Sequence, residues 1–345
     1  EYTDANGEKV NIPAQCAVSK VEGENTLENG LVIIDINGNE WVWIEVPKAT
    51  DIYQTAGLNI TNFTEDEYKK IYEDLENYTQ IYRDSDSKGT IPGTDEWYDG
   101  CGLTSNEYTQ LKQKMLKSVY ENEGFYIGRY EVGIKEENMV RYYGEEYDTE
   151  HPIDEIPVIQ KDKVVYNWVT TSQAQELSEK LAVGGKTSSL MFALQWNLIL
   201  KYIETKGEYT KDGTNTLINQ ALIKLDSTKW GNHSNAIFNI TNINAKYSEN
   251  LGESYKTITL EGYQKQAESV LLTTGALERN NIAEIYDLSG NVDEWTLEKT
   301  TNPSFPCNAR GGNYTLGGFE YPVSCRGDCA TSSNISTIGF RPALY

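Results

Sequence analysis

An α+β fold is the class this sequence predicts, on three observations. β-rich runs sit at residues 31–34 and 41–46, and short strand-and-turn pieces return after residue 280. Stretches with helical period and clear start signals fill the middle. Strands and helices do not alternate, and neither G-x-G-x-x-G nor G-x-x-x-x-G-K-[ST] occurs, so a nucleotide-binding parallel sheet has nothing to rest on.

The elements follow in order. Residues 1–30 are polar and weakly patterned and read as an N-terminal extension. The runs at 31–34 and 41–46 flank Asp35-Ile36-Asn37-Gly38-Asn39. Asn-Gly tolerates positive φ at both turn positions, so this is a hairpin. Thr64 with Glu67 forms a capping box, opening a helix to about Tyr82. Residues 83–103, with several Gly and Asp, read as loop. Thr104 with Glu107 repeats the box and opens a helix through about Tyr120. Residues 124–132 (GFYIGRYEV) read as a strand. Ser172 with Gln175 opens a third helix, to about Leu181. Leu190, Leu194, Leu198 and Ile199 put a fourth at 190–204. Residues 207–260, rich in Asn, Thr and Ser, read as an insertion, and no internal repeat is visible.

Composition excludes several functions. A net charge of -22 with no basic stretch repels phosphate backbones, so no nucleic-acid partner is expected. No run of 18 apolar residues occurs, so no membrane-spanning helix is expected, and the sequence opens without a basic, apolar-centred leader. With two histidines, His151 and His233, and no C-x-x-C, a zinc site or a nucleophilic triad lacks its parts. Cys307, Cys325 and Cys329 lie close enough in sequence for one disulfide in an oxidising compartment. The 24 tyrosines suit a binding face and an ordinary β-rich fold alike.

Two stretches carry the chemistry. Residues 281–295 (NIAEIYDLSGNVDEW) hold a Gly-Asn turn between acids. Asp287, Glu294 and the carbonyls of Gly290 and Val292 converge on one point in one reading, a set of hard oxygens that suits Ca²⁺. The other reading is an Asx turn with its acids in solvent. Residues 310–345 open with Arg-Gly-Gly and close on Gly339-Phe340-Arg341, with a long aperiodic segment between them. Such a segment with anchored ends points to function, and Arg341 is suited to a buried carboxylate.

These motifs resemble the formylglycine-generating-enzyme-type, sulfatase-modifying family, a variant of the C-type lectin fold. Gly290-Asn291-Val292-Asp293-Glu294-Trp295 is similar to its G-N-V-x-E-W, Arg310-Gly311-Gly312-Asn313-Tyr314 to its R-G-G-S-[WY], and Gly339-Phe340-Arg341 to its G-F-R. Weaker echoes lie at residues 125–132, at Pro157-Val158, at Asn167-Trp168 and at Trp196. The resemblance implies a C-type lectin-like domain over 31–345, with helical insertions near 50–120 and 207–270. It implies a structural Ca²⁺ on Asp287, Gly290, Val292 and Glu294, although Asp stands at 287 where Asn is usual. Catalytic members hold copper on two cysteines shortly after R-G-G-S-Y. Leu316 and Tyr321 occupy those places here, and neither offers a thiolate. No copper, no formylglycine formation and no catalytic residue are therefore expected.

The tail more closely resembles the variable proteins of diversity-generating retroelements. In those proteins adenine replacement in Asn codons leaves residues encodable as NNC. Between Asn313 and Thr337 there is no Lys, Gln, Met or Trp, and only Glu320 breaks the rule. That likeness implies a non-catalytic binding segment at 313–337, with Tyr314, Leu316, Phe319, Tyr321, Arg326, Asp328, Asn334 and Ile335 as contacts. It also implies a protein or glycan partner and display outside the cell, on a bacterial surface or a virion. A structural subunit of a surface filament is the alternative, and a formylglycine-generating-type oxidase a more distant one. The Glu-Pro-Asn and Gln-Pro-Asp triplets of calcium-dependent sugar sites are absent, and the fold alone does not imply sugar binding.

Overall fold

The computed structural model describes residues 1–83, 93–144, 146–147, 149–211 and 214–345. Strands β1 (Cys16–Val18), β2 (Val32–Asp35), β3 (Glu40–Glu45), β4 (Gly124–Gly128) and β5 (Ser188–Leu190) belong to one sheet. A second is built from β6 (Asp293–Lys299), β7 (Cys307–Arg310), β8 (Arg326–Cys329) and β9 (Ile338–Phe340). Strand β10 (Pro342–Leu344) then returns to the first sheet, between β4 and β5, giving the antiparallel order β1-β2-β3-β4-β10-β5. The second sheet runs β8-β7-β6-β9, with only β6 and β9 parallel. The α+β expectation therefore holds.

The longer helices among the described residues are α1 (Glu65–Tyr78), α2 (Ser105–Asn122), α3 (Thr171–Glu179) and α4 (Ala193–Lys206). Helix α2 packs on β4 and α4 on β3. Strand β3 is covered on both faces, which is why Trp41-Val42-Trp43-Ile44 is continuously apolar rather than alternating. One core runs through these elements and takes in Trp41, Trp196, Trp295 and Phe340.

The Asn-Gly hairpin is in place, with Ile34 opposite Glu40. Asp35 Oδ1 accepts the N–H groups of Asn37 (2.8 Å) and Asn39 (3.0 Å), while Gly38 takes a φ of 79°. The boxes at Thr64–Glu67 and Thr104–Glu107 cap α1 and α2. The third box is Thr170 with Gln173, so α3 starts ahead of Ser172. Helix α1 stops at Tyr78, because the Thr79 hydroxyl bonds back to the Leu75 carbonyl, and a further turn follows at Gln80–Arg83. The strand expected over 124–132 ends at Gly128. Of the loop expected at 83–103, residues 84–92 lie outside the described residues, and 93–103 is turn and bend.

Residues 1–30 are not an extension. Strand β1 forms an edge of the main sheet, Val10 and Leu27 are buried in the core, and Asp4 Oδ2 accepts the Leu27 N–H at 3.0 Å. The region near 50–120 does carry helices. That at 207–270 holds a short helix, Gln220–Lys224, among mostly β elements: Glu208–Lys211 pairs with Thr214–Leu217, Phe238–Ile240 with Tyr263–Lys265, and Lys246–Ser248 with its neighbours. These small sheets close on a satellite core of Phe238, Ile240, Ile258, Val270, Leu272 and Leu277.

Candidate functional site

The 287–295 turn is forced by its backbone. Asp287, Gly290 and Asn291 take φ values of 56°, 75° and 59°. A Cβ on Gly290 would lie 2.3 Å from the Asn232 carbonyl, so only glycine fits that crossing. Asn291 then acts as a peptide-like bridge. Its Oδ1 accepts from Asn232 Nδ2 (3.0 Å) and the Leu272 N–H (3.0 Å), and its Nδ2 donates to Glu131 Oε2 (2.6 Å). Glu131 Oε1 accepts the Val292 N–H at 3.0 Å.

The acids of this turn are buried and partnered by protein. Asp287 Oδ2 accepts the Gly275 N–H (2.6 Å), and its Oδ1 accepts from Asn280 Nδ2 (3.3 Å). Both Glu294 oxygens face Arg341: Nε lies 3.0 and 3.1 Å from them, and Nη2 lies 2.7 Å from Oε1. Arg341 also donates to the carbonyls of Gly128 and Tyr286. Burial pushes Glu294 up to about 7 and Asp293 up to about 6, with Arg341 opposing the rise at Glu294. Burial raises Asp287 too, and at Glu131 the charges of Asp287 and Glu294 add to it.

The carboxylates of Asp287 and Glu294 are engaged with protein donors, and a guanidinium already sits against the acid that would complete the cage. Among the described residues no three His, Cys, Asp or Glu side chains are arranged to hold a metal ion. The solvent-facing alternative fails, since both acids are fully covered. Asp287, Gly290, Val292 and Glu294 do come together, as a clasp between the two sheets closed by Arg341 at the β9–β10 junction.

Arg310 of the Arg-Gly-Gly motif makes a second clasp. It donates to Glu298 Oε2 at 2.7 Å, and Arg326 Nε donates to Glu298 Oε1 at 2.5 Å. Burial alone would raise the Glu298 carboxyl, but Arg326 and Arg310 outweigh it and hold it below the usual range. Gly312 is required where the chain passes the Tyr321 carbonyl, 2.4 Å from a Cβ at that position.

These clasps divide the 313–337 segment. Pro322–Arg326 is a buried stretch between two outer turns. The first turn, 315–321, leans on residues 227–235: the Leu316 carbonyl accepts from the Ser234 N–H, and the Gly318 carbonyl from the Ser227 N–H. His233 lies beneath it, its Nε2 2.9 Å from Ser289 Oγ, and burial holds it neutral at about 3. The second turn follows β8 and meets Tyr147, whose carbonyl accepts the Asn334 N–H.

Of the eight expected contacts, three belong to the scaffold instead. Tyr314 is buried with Val165, Leu271 and Val292, its hydroxyl bonded to Ser336. Arg326 is spent on Glu298, and Asn334 is fully buried. Leu316, Tyr321 and Ile335 are half-buried, Asp328 is exposed, and Phe319 is 62% exposed. Cys307 and Cys329 are directly opposite across β7 and β8, both as thiols. Glu131 and Glu298, which hold the clasps, escaped sequence reasoning.

A family model described as the sulfatase-modifying factor enzyme 1-like domain matches residues 101–344. Among solved structures, Treponema denticola variable protein 1 is similar at 14% identity over 97% of this chain and 92% of that chain, with a TM-score of 0.25. No curated protein matches. No helix among the described residues is long and apolar enough to cross a membrane.

Proposed function

Because the chain belongs to the sulfatase-modifying factor enzyme 1-like domain family, we propose that it is a non-catalytic member that binds a protein or glycan ligand through its two C-terminal turns. The observation that carries this reading is the pair Leu316 and Tyr321. Where the family resemblance calls for two copper-binding thiols, these side chains offer no soft ligand. The same turn presents Phe319 to solvent on backbone pinned by Ser227 and Ser234. An exposed ring on a fixed backbone is the arrangement of a binding anchor, since little order is lost on contact. Leu316, Phe319 and Tyr321 form one part of the contact set, and Asp328 and Ile335 the other. Display on a bacterial or virion surface fits a domain whose variable residues do not hold up its core. Diversification by a retroelement fits the near-absence of residues outside the NNC set.

Two measurements test this. Protein and glycan arrays are probed with the wild-type chain and with Phe319→Asp. Loss of a wild-type signal at unchanged melting temperature supports the reading, and a signal unaffected by Phe319→Asp, with Leu316→Asp and Tyr321→Asp also silent, sinks it. Incubation with a cysteine-containing peptide, copper(I) and dioxygen is expected to leave the peptide mass unchanged, and appearance of the formyl product would make the chain an oxidase. Population sequencing of the gene tests diversification. Variation is expected at codons 316, 319, 321, 328 and 335 and not at 314, 326 or 334, and an invariant segment rejects it.

A further inference from the structure

A cavity of about 780 Å³ opens where the 207–270 insertion meets residues 276–281. That volume is within the range of small-molecule sites. Its charge runs against that of the whole chain. Arg279 and Lys229 line it, and the one carboxylate in the lining, Glu278, already faces Lys161 at 2.6 Å and accepts the Tyr286 hydroxyl at 2.7 Å. Arg279 makes no ion pair among the described residues. Neutral groups hold it: Nη1 donates to the Ile237 carbonyl (3.2 Å), Nη2 to the Thr228 carbonyl (2.6 Å), and the guanidinium lies 4.8 Å from the Phe238 ring centroid. Each Nη nitrogen keeps a second hydrogen. On the far side of Phe238 lies buried Lys265, whose Nζ is held by the carbonyls of His233 and Ala236. Burying two cations is costly: Arg279 is held by neutral groups, Lys265 has the charge of Glu268 acting on it, and burial pulls Arg279 down to about 10. An anion in the cavity offsets that cost. The wall also carries side-chain amides and a hydroxyl, from Asn239, Gln264 and Thr241, beside apolar residues that include Ile237 and Leu277. Amides supply donor and acceptor together, which suits a polyol more than a bare anion.

We propose that this cavity binds a small carboxylate-bearing saccharide. The planar fork of Arg279 takes the carboxylate, since guanidinium geometry matches it. Asn239, Gln264 and Thr241 read the ring hydroxyls, and Ile237 packs on the ring face. The site adjoins the first C-terminal turn through residues 227–235 but would take its ligand on other side chains, and it stands whether or not that turn binds a partner.

Calorimetric titration of the full chain with sodium glucuronate and with N-acetylneuraminate tests it, with glucose and sodium sulfate as controls. At least one acid is expected to bind, with glucose and sulfate each weaker by about tenfold or more. Arg279→Gln is expected to weaken the acid by about tenfold or more. Because Arg279 also holds two backbone carbonyls, Asn239→Ala and Gln264→Ala serve as second variants that leave it in place, and melting temperatures report whether each protein is folded. The proposal falls if neither acid binds, if glucose or sulfate binds as well as the acid, or if folded Arg279→Gln binds unchanged. It falls equally if Asn239→Ala and Gln264→Ala both bind as wild type.

Discussion

Asp287 shows what one residue does in a crowded site. It shares a dry pocket with Glu131 and Glu294, and one guanidinium serves all three. Substituting Asp287→Asn removes a like charge. After a flip of the Asn280 amide, the new Nδ2 can meet Asn280 Oδ1, a buried atom without a partner. The variant is expected to gain on the order of 1 kcal/mol at pH 8 by urea titration, with a smaller gain at pH 5, below the value of about 7 at Glu294, whose charge then no longer opposes Asp287. A loss at pH 8, joined by sensitivity to a chelator, would instead restore the calcium reading. The sequence singled out Asp287, Glu294 and Arg341 and suited Arg341 to a buried carboxylate, while leaving the two acids between a calcium set and a solvent-facing turn. It could not show that Arg341 meets Glu294, because 47 residues separate them and the β9–β10 junction brings them together. Tyr314, Arg326 and Asn334 were misassigned for the same reason: an aperiodic stretch carries no signal of which side chains turn inward.

At the scale of elements, helix starts divide by where their caps come from. The boxes at Thr64 and Thr104 are local and legible in sequence. Helix α4 begins after Phe192, which cannot cap. Its exposed N–H groups are met by Asp95, whose Oδ1 accepts from Ala193 (2.7 Å) and whose Oδ2 accepts from Leu194 (3.1 Å). Nothing near residue 192 predicts a partner almost a hundred positions earlier. Asp95→Ala is expected to cost about 2 kcal/mol, at the upper end of cap losses because the site is buried, and Thr64→Ala about 1 kcal/mol or less. Equal losses in thermal melts would mean that burial adds nothing to the Asp95 cap. The strands of residues 1–30 were missed on related grounds. Short strands bind through backbone, and β1 has too few residues for alternation to show.

Across the whole molecule, buried titrating groups oppose one another. Asp293 and Glu294 have folded pKa values of about 6 and 7, above their unfolded values. Their contribution is complete below the unfolded carboxylate range and is lost as pH rises through 6 and 7. His233, at about 3 when folded, lies below its unfolded value, so its contribution is present above the unfolded histidine range and is lost as pH falls toward 3. Stability is therefore expected to be greater at pH 6 than at pH 8, and to fall again below about pH 4, where the carboxylates protonate in both states and only His233 still loses, as urea midpoints would report. A midpoint that rises steadily from pH 6 to pH 8 would contradict these assignments. The α+β class and the family motifs were legible because they are local patterns. The two clasps that turn them into one scaffold were not, because each joins segments remote in sequence.

Strand β10 lies between β4 and β5, so the place next to the edge strand of the main sheet is filled by residues 342–344. During synthesis the ribosome must deliver these residues before β4 and β5 have their shared neighbour. Until then both strands show open edges, and the 313–337 segment has already emerged beside them. A chain stopped at residue 337 is accordingly expected to be insoluble, while the same chain continued through Leu344 is soluble. Closure of the main sheet thus waits on residues 342–344, and the turns of 313–337 are made before the scaffold that carries them is complete.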